Sequence, residues 1–459
     1  MKVTLNNLGP LKHASFELSD LTIICGDNNT GKTYATYALF GFLETWHNHV
    51  DIDLDETTVQ TLLDDGTVHI DLKPYLTKTK EILQLACESY RLTLAKNIFA
   101  ASPENFINTS FNIEVEQSDL EQAFERKIHT SNTEVFSLCK TEGSHDLTVS
   151  LLTHKPIHFS QRMLTLIIAS AIKDILFASR LPKPFIASSE RTGAAIFRKK
   201  INSSHSRLLK EMSQENIEVN PLELLFKSYQ DYALPVESNV DFALKLETIV
   251  KETSFIANHH PEILHDFANI IGGTYHVNNN DKLSFQPHRK KINLSMDESS
   301  STVRSLLNIS FYLHHIAQQG DLLIIDEPEL NLHPKNQRHL SRLFARLMNI
   351  GIKVFITTHS DYIVKELNTL IMLNHDKKYL REIAQEEGYQ KSELIDAKQV
   401  KVYIAKEKLI LLPNKTRRTR HQTLSEARVD PEMGIDAHSF DSTIDTMNRI
   451  QEAIVWGGD

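Results

Sequence analysis

Eight consecutive residues, Gly26-Asp27-Asn28-Asn29-Thr30-Gly31-Lys32-Thr33, fit the pattern G-x-x-x-x-G-K-[ST]. Glycines in such a run let backbone amides curl around phosphate oxygens, and the following helix points its positive end at them. In that pattern Lys32 reaches the β- and γ-phosphates and Thr33 offers its hydroxyl to Mg2+. Gly26, Asn28, Asn29, Thr30, Gly31 and the next residue, Tyr34, complete the expected contact set. Far downstream, Asp326 and Glu327 close the apolar run Leu322-Leu323-Ile324-Ile325. A carboxylate at the end of a buried strand is costly unless it meets a cation. Asp326 beside a Mg2+–phosphate complex removes that cost, and Glu327, pointing elsewhere, orients or polarises an attacking water. The chemistry this describes is binding and cleavage of a nucleoside triphosphate.

Each group needs an element to carry it. Leu21, Ile23, Ile24 and Cys25 read as a buried strand before the phosphate loop. Ala35, Ala38, Leu39, Phe42, Leu43 and Trp46 fall at helical spacing behind it. A further apolar strand, Ile352 to Ile356, ends in Thr357-Thr358-His359-Ser360. In α/β sheets ligands bind at the carboxyl ends of strands, which favours contact between His359 and the γ-phosphate over a plain surface role. Upstream, Ser299, Ser300 and Ser301 precede Val303, Leu306, Leu307, Ser310 and Leu313, which keep helical phase. Serines there cap helices, and several in a row also present hydroxyls and amides to a phosphate, including one held by a neighbouring subunit.

The chain's 459 residues exceed one compact core, so two or three units are expected. At 41% hydrophobic and 24% charged the composition is that of an ordinary soluble protein. No run of about 18 apolar residues is present, so no membrane span is expected. The start, Met1-Lys2-Val3-Thr4-Leu5, reads as a strand and not as a targeting signal. Cys25, Cys87 and Cys139 lack metal-ligand spacing and read as reduced thiols, which points to the cytoplasm. A net charge of −9 argues against nonspecific coating of nucleic acid.

Strands are expected at Val3–Leu5, Ala14–Leu18 and Leu21–Cys25, with turns at Gly9-Pro10 and Ser19-Asp20. The polar stretch Asp51 to Thr67 reads as a loop and a strand edge, and 74–101 as helical. Further helices are expected at 163–181, 194–213, 239–256 and 261–271, and a hairpin turns at Asn278–Asp281. Glu190-Arg191 follow an apolar strand end. They read as an ion pair at a strand–helix junction, or Arg191 faces nucleotide or a partner subunit. No internal repeat and no long heptad pattern appears.

Taken together, the phosphate loop, the serine-led helix, Asp326-Glu327-Pro328-Glu329-Leu330-Asn331-Leu332-His333-Pro334 and Thr357-Thr358-His359-Ser360 resemble the ABC-type ATPases of the OLD-like branch. These are relatives of the chromosome-maintenance and recombination ATPases, and many act in bacterial anti-phage defence of the Septu, PARIS and retron-associated types. The specific motifs cover roughly residues 1–50 and 290–375. The resemblance implies an α/β fold: an ABC-type P-loop ATPase head, a mixed sheet flanked by helices, with a large, mainly helical insertion. Residues 1–75 would form the N-terminal half of the head, 76–270 the insertion and 271–375 the C-terminal half. Residues 376–459 would form a small C-terminal α/β extension.

The resemblance also implies ATP and Mg2+ as ligands, Lys32 and Thr33 as Walker A, Asp326 as Walker B, Glu327 as catalytic carboxylate and His359 as switch histidine. Ser299 and Ser300 would act in trans as signature serines, in a homodimer or a larger oligomer of dimers, with His333-Pro334 in the segment along the dimer interface. Ser301 stands where a glycine is usual, and Gln60 is the one candidate for the glutamine loop. OLD enzymes carry a C-terminal Toprim nuclease. Here Asp430, Glu432 and Asp436 flank Pro431 and Gly434 and read as a turn, so cleavage falls to a separate effector such as an HNH or Toprim protein from a neighbouring gene.

Three uses follow: a defence ATPase controlling that effector, a recombination or repair ATPase that binds DNA, or an ATP-locked scaffold storing a toxin-like partner. DNA would meet the basic stretches Lys415–His421, His288–Lys291 and Arg198–Lys200, which otherwise read as solvated loops.

Overall fold

The structure, a computed structural model, describes residues 1–116, 120–130, 133–152, 160–196, 232–277, 283–412, 416–436 and 446–454. The expected hairpin turn at 278–281, most of the helix 194–213 and Arg198–Lys200 lie outside the described residues. Contacts divide the chain into two compact units. The larger holds Thr4–Gly41, Thr93–Thr109 and Lys183–Asp459; the smaller holds Met1–Val3, Phe42–Leu92 and Ser110–Pro182.

In the larger unit five strands lie side by side and parallel: Pro184–Ala187, Leu322–Asp326, Lys353–Thr358, Leu21–Gly26 and Val400–Ile410. Every residue of Leu21–Gly26 and Leu322–Asp326 is buried, as strands covered on both faces require. Thr419–Ala427 then runs antiparallel to Val400–Ile410, and Leu11–Glu17 and Lys2–Leu8 continue the sheet. The registers pair Asp326 with Thr357, Thr358 with Cys25 and Gly26 with Ala405. Phosphate loop, carboxylate pair and His359 therefore share the carboxyl edge of one sheet. Helices Lys32–His49 and Ser301–Phe311 fall where apolar periodicity places them, and Pro334–Asn349 and Asp361–Met372 follow the strands that end at Asp326 and Thr358. This is an α/β fold, a mixed sheet flanked by helices with the phosphate loop at its carboxyl edge.

Two expectations change. Residues 376–459 are not a separate extension, because Val400–Ile410 and Thr419–Ala427 lie inside the head sheet. The second edge of Leu21–Gly26 needs a partner for its backbone groups, and Val402 and Ile404 are buried in supplying it. Asp51 to Thr67 is not mainly loop either: Glu56–Asp65 is a helix. The Asp55 carboxylate accepts the Thr57 amide at its start, and Gly66 at φ +76° closes it in the left-handed region. Val59 and Leu62, one turn apart, bury the apolar side.

The smaller unit contains helices Thr79–Thr93 and Gln161–Lys173 and a four-stranded antiparallel sheet in the order Thr67–Asp71, Asp146–Leu151, Thr133–Lys140, Phe124–Thr130. Helices still predominate among the described residues of 76–270. Gln60 sits on the Glu56–Asp65 helix, its amide bonded to Asp64 at 2.9 Å. No described helix is long and apolar enough to cross a membrane.

A chain ending at Gln399 would leave one edge of the phosphate-loop strand bare. We expect it to be insoluble or to lack a cooperative thermal transition by circular dichroism. In the full chain, Ile404→Ala should lower unfolding free energy in urea by about 2–5 kcal/mol.

Candidate nucleotide site

The loop after Leu21–Gly26 is shaped by residues that tolerate unusual backbone angles. Gly26 has φ +142°, and a Cβ there would collide with the Ala405 carbonyl oxygen. Gly31 has φ +96°, and its Cβ would come within 2.6 Å of Leu11 Cγ. Neither position admits a side chain. Asn29 takes φ +62°, which asparagine adopts more readily than most residues. Asn28 is exposed on the same loop, and the Thr30 hydroxyl donates to the Asp27 carbonyl at 2.7 Å.

Lys32 opens the helix Lys32–His49, and its Nζ folds back to donate to the carbonyls of Gly26 and Asp27 at 2.8 and 2.7 Å. Burial lowers its pKa, while Glu327, Asp326, Glu329 and Asp27 oppose the shift. One residue on, Thr33 donates from Oγ1 to Asp326 Oδ2 at 3.1 Å. Thr357 on the neighbouring strand donates to Asp326 Oδ1. Asp326 is fully buried, and desolvation raises its pKa although both hydroxyls favour the charged form. A hydroxyl and a carboxylate held side by side are hard oxygen donors, the set Mg2+ accepts while phosphates and waters fill its remaining positions.

Glu327 leaves the strand at φ +54°, its amide donating to the Thr357 carbonyl at 3.0 Å. Its Oε1 lies 3.7 Å from His359 Nδ1, so the carboxylate and the histidine expected at the site come together. Tyr34 is partly exposed beside the loop and stacks on Phe99 with ring centroids 5.2 Å apart.

The profile of the AAA ATPase domain matches residues 1–364. The chain belongs to the AAA ATPase domain family. Among solved structures it is similar to the SmcHead bound to the C-winged helix domain of ScpA, at 10% identity over 94% of this chain and 98% of that chain, TM-score 0.34. The Smc head domain with an extended coiled coil bound to the C-terminal domain of ScpA, derived from Pyrococcus furiosus, is 11% identical over 98% of both chains, TM-score 0.31. The SMC head domain from Thermotoga maritima is 12% identical over 80% of this chain and 90% of that chain, TM-score 0.26. No curated protein matches the chain.

Within this family member the serines expected to meet a phosphate are engaged locally. Ser299 is buried and donates to the Ser295 carbonyl at 2.7 Å. Ser300 caps Ser301–Phe311 by accepting the Val303 amide, and Ser301 is the first helical residue. Two residues of the same helix bond the segment after the carboxylate pair. Thr302 Oγ1 donates to the Asn331 carbonyl at 2.5 Å, and Ser305 Oγ to the Leu330 carbonyl at 3.4 Å.

Arg191 takes neither role its sequence context offers. Glu190 accepts the Tyr37 hydroxyl at 2.8 Å, and the Arg191 guanidinium turns inward. Nε donates to the Ser305 carbonyl at 2.9 Å, and Nη1 to those of Ser188 and Asp326 at 2.8 and 2.7 Å. Nη2 donates to the Glu327 carbonyl at 2.8 Å. Burial pushes the guanidinium down to about 10, opposed by Asp326, Glu329, Glu327 and Glu190. One cation thus ties the backbone of the carboxylate pair to the serine-led helix. Its sequence signal is thin: an arginine just past the strand Pro184–Ala187, with no spacing that identifies its acceptors.

Arg191→Met keeps the aliphatic stem but strands four carbonyls. It should cost about 3 kcal/mol or more in chemical unfolding. Glu190→Gln, which keeps an acceptor for Tyr37, should stay within about 1 kcal/mol of the parent in the same assay.

Proposed function

We propose that this chain is an ABC-type, OLD-like ATPase that binds ATP with Mg2+ and hydrolyses it where two heads meet. The observation that carries this reading is the 3.1 Å contact between the Thr33 hydroxyl and the fully buried Asp326 carboxylate. It joins the phosphate loop to the end of another strand with a donor pair suited to Mg2+. A bound Mg2+ would neutralise phosphate charge at that pair. Lys32 exchanges its two carbonyl acceptors for β- and γ-phosphate oxygens. The loop amides and the helix N-terminus hold the remaining phosphate charge. Glu327 orients the attacking water and accepts its proton, and His359 contacts the γ-phosphate from the next strand. Ser299 and Ser300 complete the site of a second copy.

Hydrolysis of this kind times a conformational cycle, and the use we propose is control of a separate effector, such as an HNH or Toprim nuclease, in anti-phage defence. The sequence resemblance supports that use. Lys32→Ala should abolish ATP binding in calorimetry. Glu327→Gln should keep binding, lower turnover at least about 100-fold and accumulate dimers in size-exclusion chromatography with ATP. Binding by Lys32→Ala at parental affinity would overturn the site assignment.

One observation favours a DNA-binding use as a second reading. The hairpin of Val400–Ile410 and Thr419–Ala427 continues past Ala405, the partner of Gly26, and exposes Lys406, Lys408, Arg417, Arg418 and Arg420. Residues 288–291 and 416–420 are likewise exposed among the described residues. Contact with a phosphate backbone there would give an affinity falling log-linearly with salt, with a slope reduced by about one for each cation removed. Fluorescence anisotropy with duplex DNA at several salt concentrations measures that slope, and no binding at low salt would remove this reading.

A further inference from the structure

We infer that Glu329 is the positioning residue for His359: its buried carboxylate takes Nδ1 of the imidazole and leaves Nε2 as the edge presented to phosphate. This inference deepens the ATPase reading and rests on it for the role of His359.

The contacts single out one oxygen. Glu329 Oε1 accepts the Thr358 hydroxyl at 2.9 Å and the His359 backbone amide at 2.8 Å. The same oxygen lies 3.2 Å from His359 Nδ1. Backbone and ring of one residue therefore meet one carboxylate, three positions after Asp326. Packing does not fix the ring, because the His359 side chain is 42% exposed while that of Glu329 is 6% exposed. The partner that restrains it is electrostatic. Glu327 Oε1 approaches Nδ1 as well, at 3.7 Å, so two carboxylates face this nitrogen.

A neutral imidazole carries its proton on one nitrogen, chosen by the hydrogen bond the ring makes. Carboxylate oxygens accept and cannot donate to a bare Nδ1. The Nδ1–H tautomer sets a proton toward both carboxylates, whereas the Nε2–H tautomer or a flipped ring would set a lone pair or a carbon against negative charge. The sequence supplies Glu329 within Asp326-Glu327-Pro328-Glu329, but only the pairing of strands Leu322–Asp326 and Lys353–Thr358 brings it to His359.

A second detail speaks against a purely structural carboxylate. Among the described residues, Oε2 of Glu329 is buried without a hydrogen-bond partner. Burying a charge with one oxygen unengaged is unfavourable, and a neutral acceptor would serve Thr358 and the amide at lower desolvation cost. The charge also acts on Lys32 and Arg191, so loss of activity in a variant would not by itself separate positioning of His359 from a general field.

The test reads the ring directly. Full-length protein is labelled with 15N-histidine and studied without nucleotide at neutral pH, the His359 signals being assigned by their loss in His359→Gln. The parent should show Nδ1 as the protonated nitrogen of the neutral ring. Glu329→Gln, whose amide can also donate to Nδ1, should lose that preference. Its kcat for ATP should drop between about 10- and 100-fold while KM moves less than about threefold. A neutral His359 protonated chiefly on Nε2 in the parent would overturn the inference, as would an unchanged tautomer and kcat in Glu329→Gln. If that variant fails to fold, the parental spectrum alone decides. Because the tautomer is read without ATP, failure of the ATPase reading, seen with Lys32→Ala, is distinguishable from failure of this one.

Discussion

The organising constraint of the larger unit is a carboxylate taken out of water. Asp326 ends the buried strand Leu322–Asp326, and desolvation disfavours its charged form. Three elements answer that penalty from different directions. Thr33 arrives from the helix behind the phosphate loop, and Thr357 from the adjacent strand. Arg191 grips the Asp326 carbonyl from behind while its charge acts on the carboxylate. The order of strands makes this convergence possible: Leu322–Asp326 sits between Pro184–Ala187, which leads to Arg191, and Lys353–Thr358, which carries Thr357.

Around that carboxylate the backbone is held in unusual conformations. Gly26, Gly31, Asn29, Glu327 and Asn331 all have positive φ. Glycine and asparagine take these angles at little cost, but Glu327 does not, and such a residue persists only where its surroundings determine it. The surroundings are specific. Its amide donates to the Thr357 carbonyl, and its own carbonyl accepts Arg191. The turn that aims the carboxylate away from Asp326 is thus fixed by backbone hydrogen bonds on both sides. Arg191 also bonds Ser305, and Thr302 and Ser305 bond the stretch Leu330–Asn331. The serine-led helix and the carboxylate pair therefore form one hydrogen-bonded block, and a displacement of either would be felt by the other.

Much of this was legible in the chain. A glycine-rich run between an apolar strand and an amphipathic helix is a local pattern, and so is an apolar run ending in Asp326-Glu327. Local patterns are written in consecutive residues, so Lys32, Thr33, Asp326, Glu327, His359 and the capping Ser300 could be named with their elements. The helix Glu56–Asp65 was missed although its caps, Asp55 and Gly66, are also local. Among its described side chains only Val59 and Leu62 are buried, so its apolar signal is weak within a polar stretch.

What consecutive residues determined, then, were the phosphate loop, the carboxylate pair, the histidine and the strands and helices that carry them. Tertiary structure alone decided that Val400–Ile410 belongs beside Leu21–Gly26, that Arg191 holds the carbonyls of Asp326 and Glu327, and that Glu329 faces His359. The physical reason is common to all three. Backbone carbonyls and sheet edges are the same for every residue type, so no side-chain spacing records which of them a distant strand or guanidinium will satisfy.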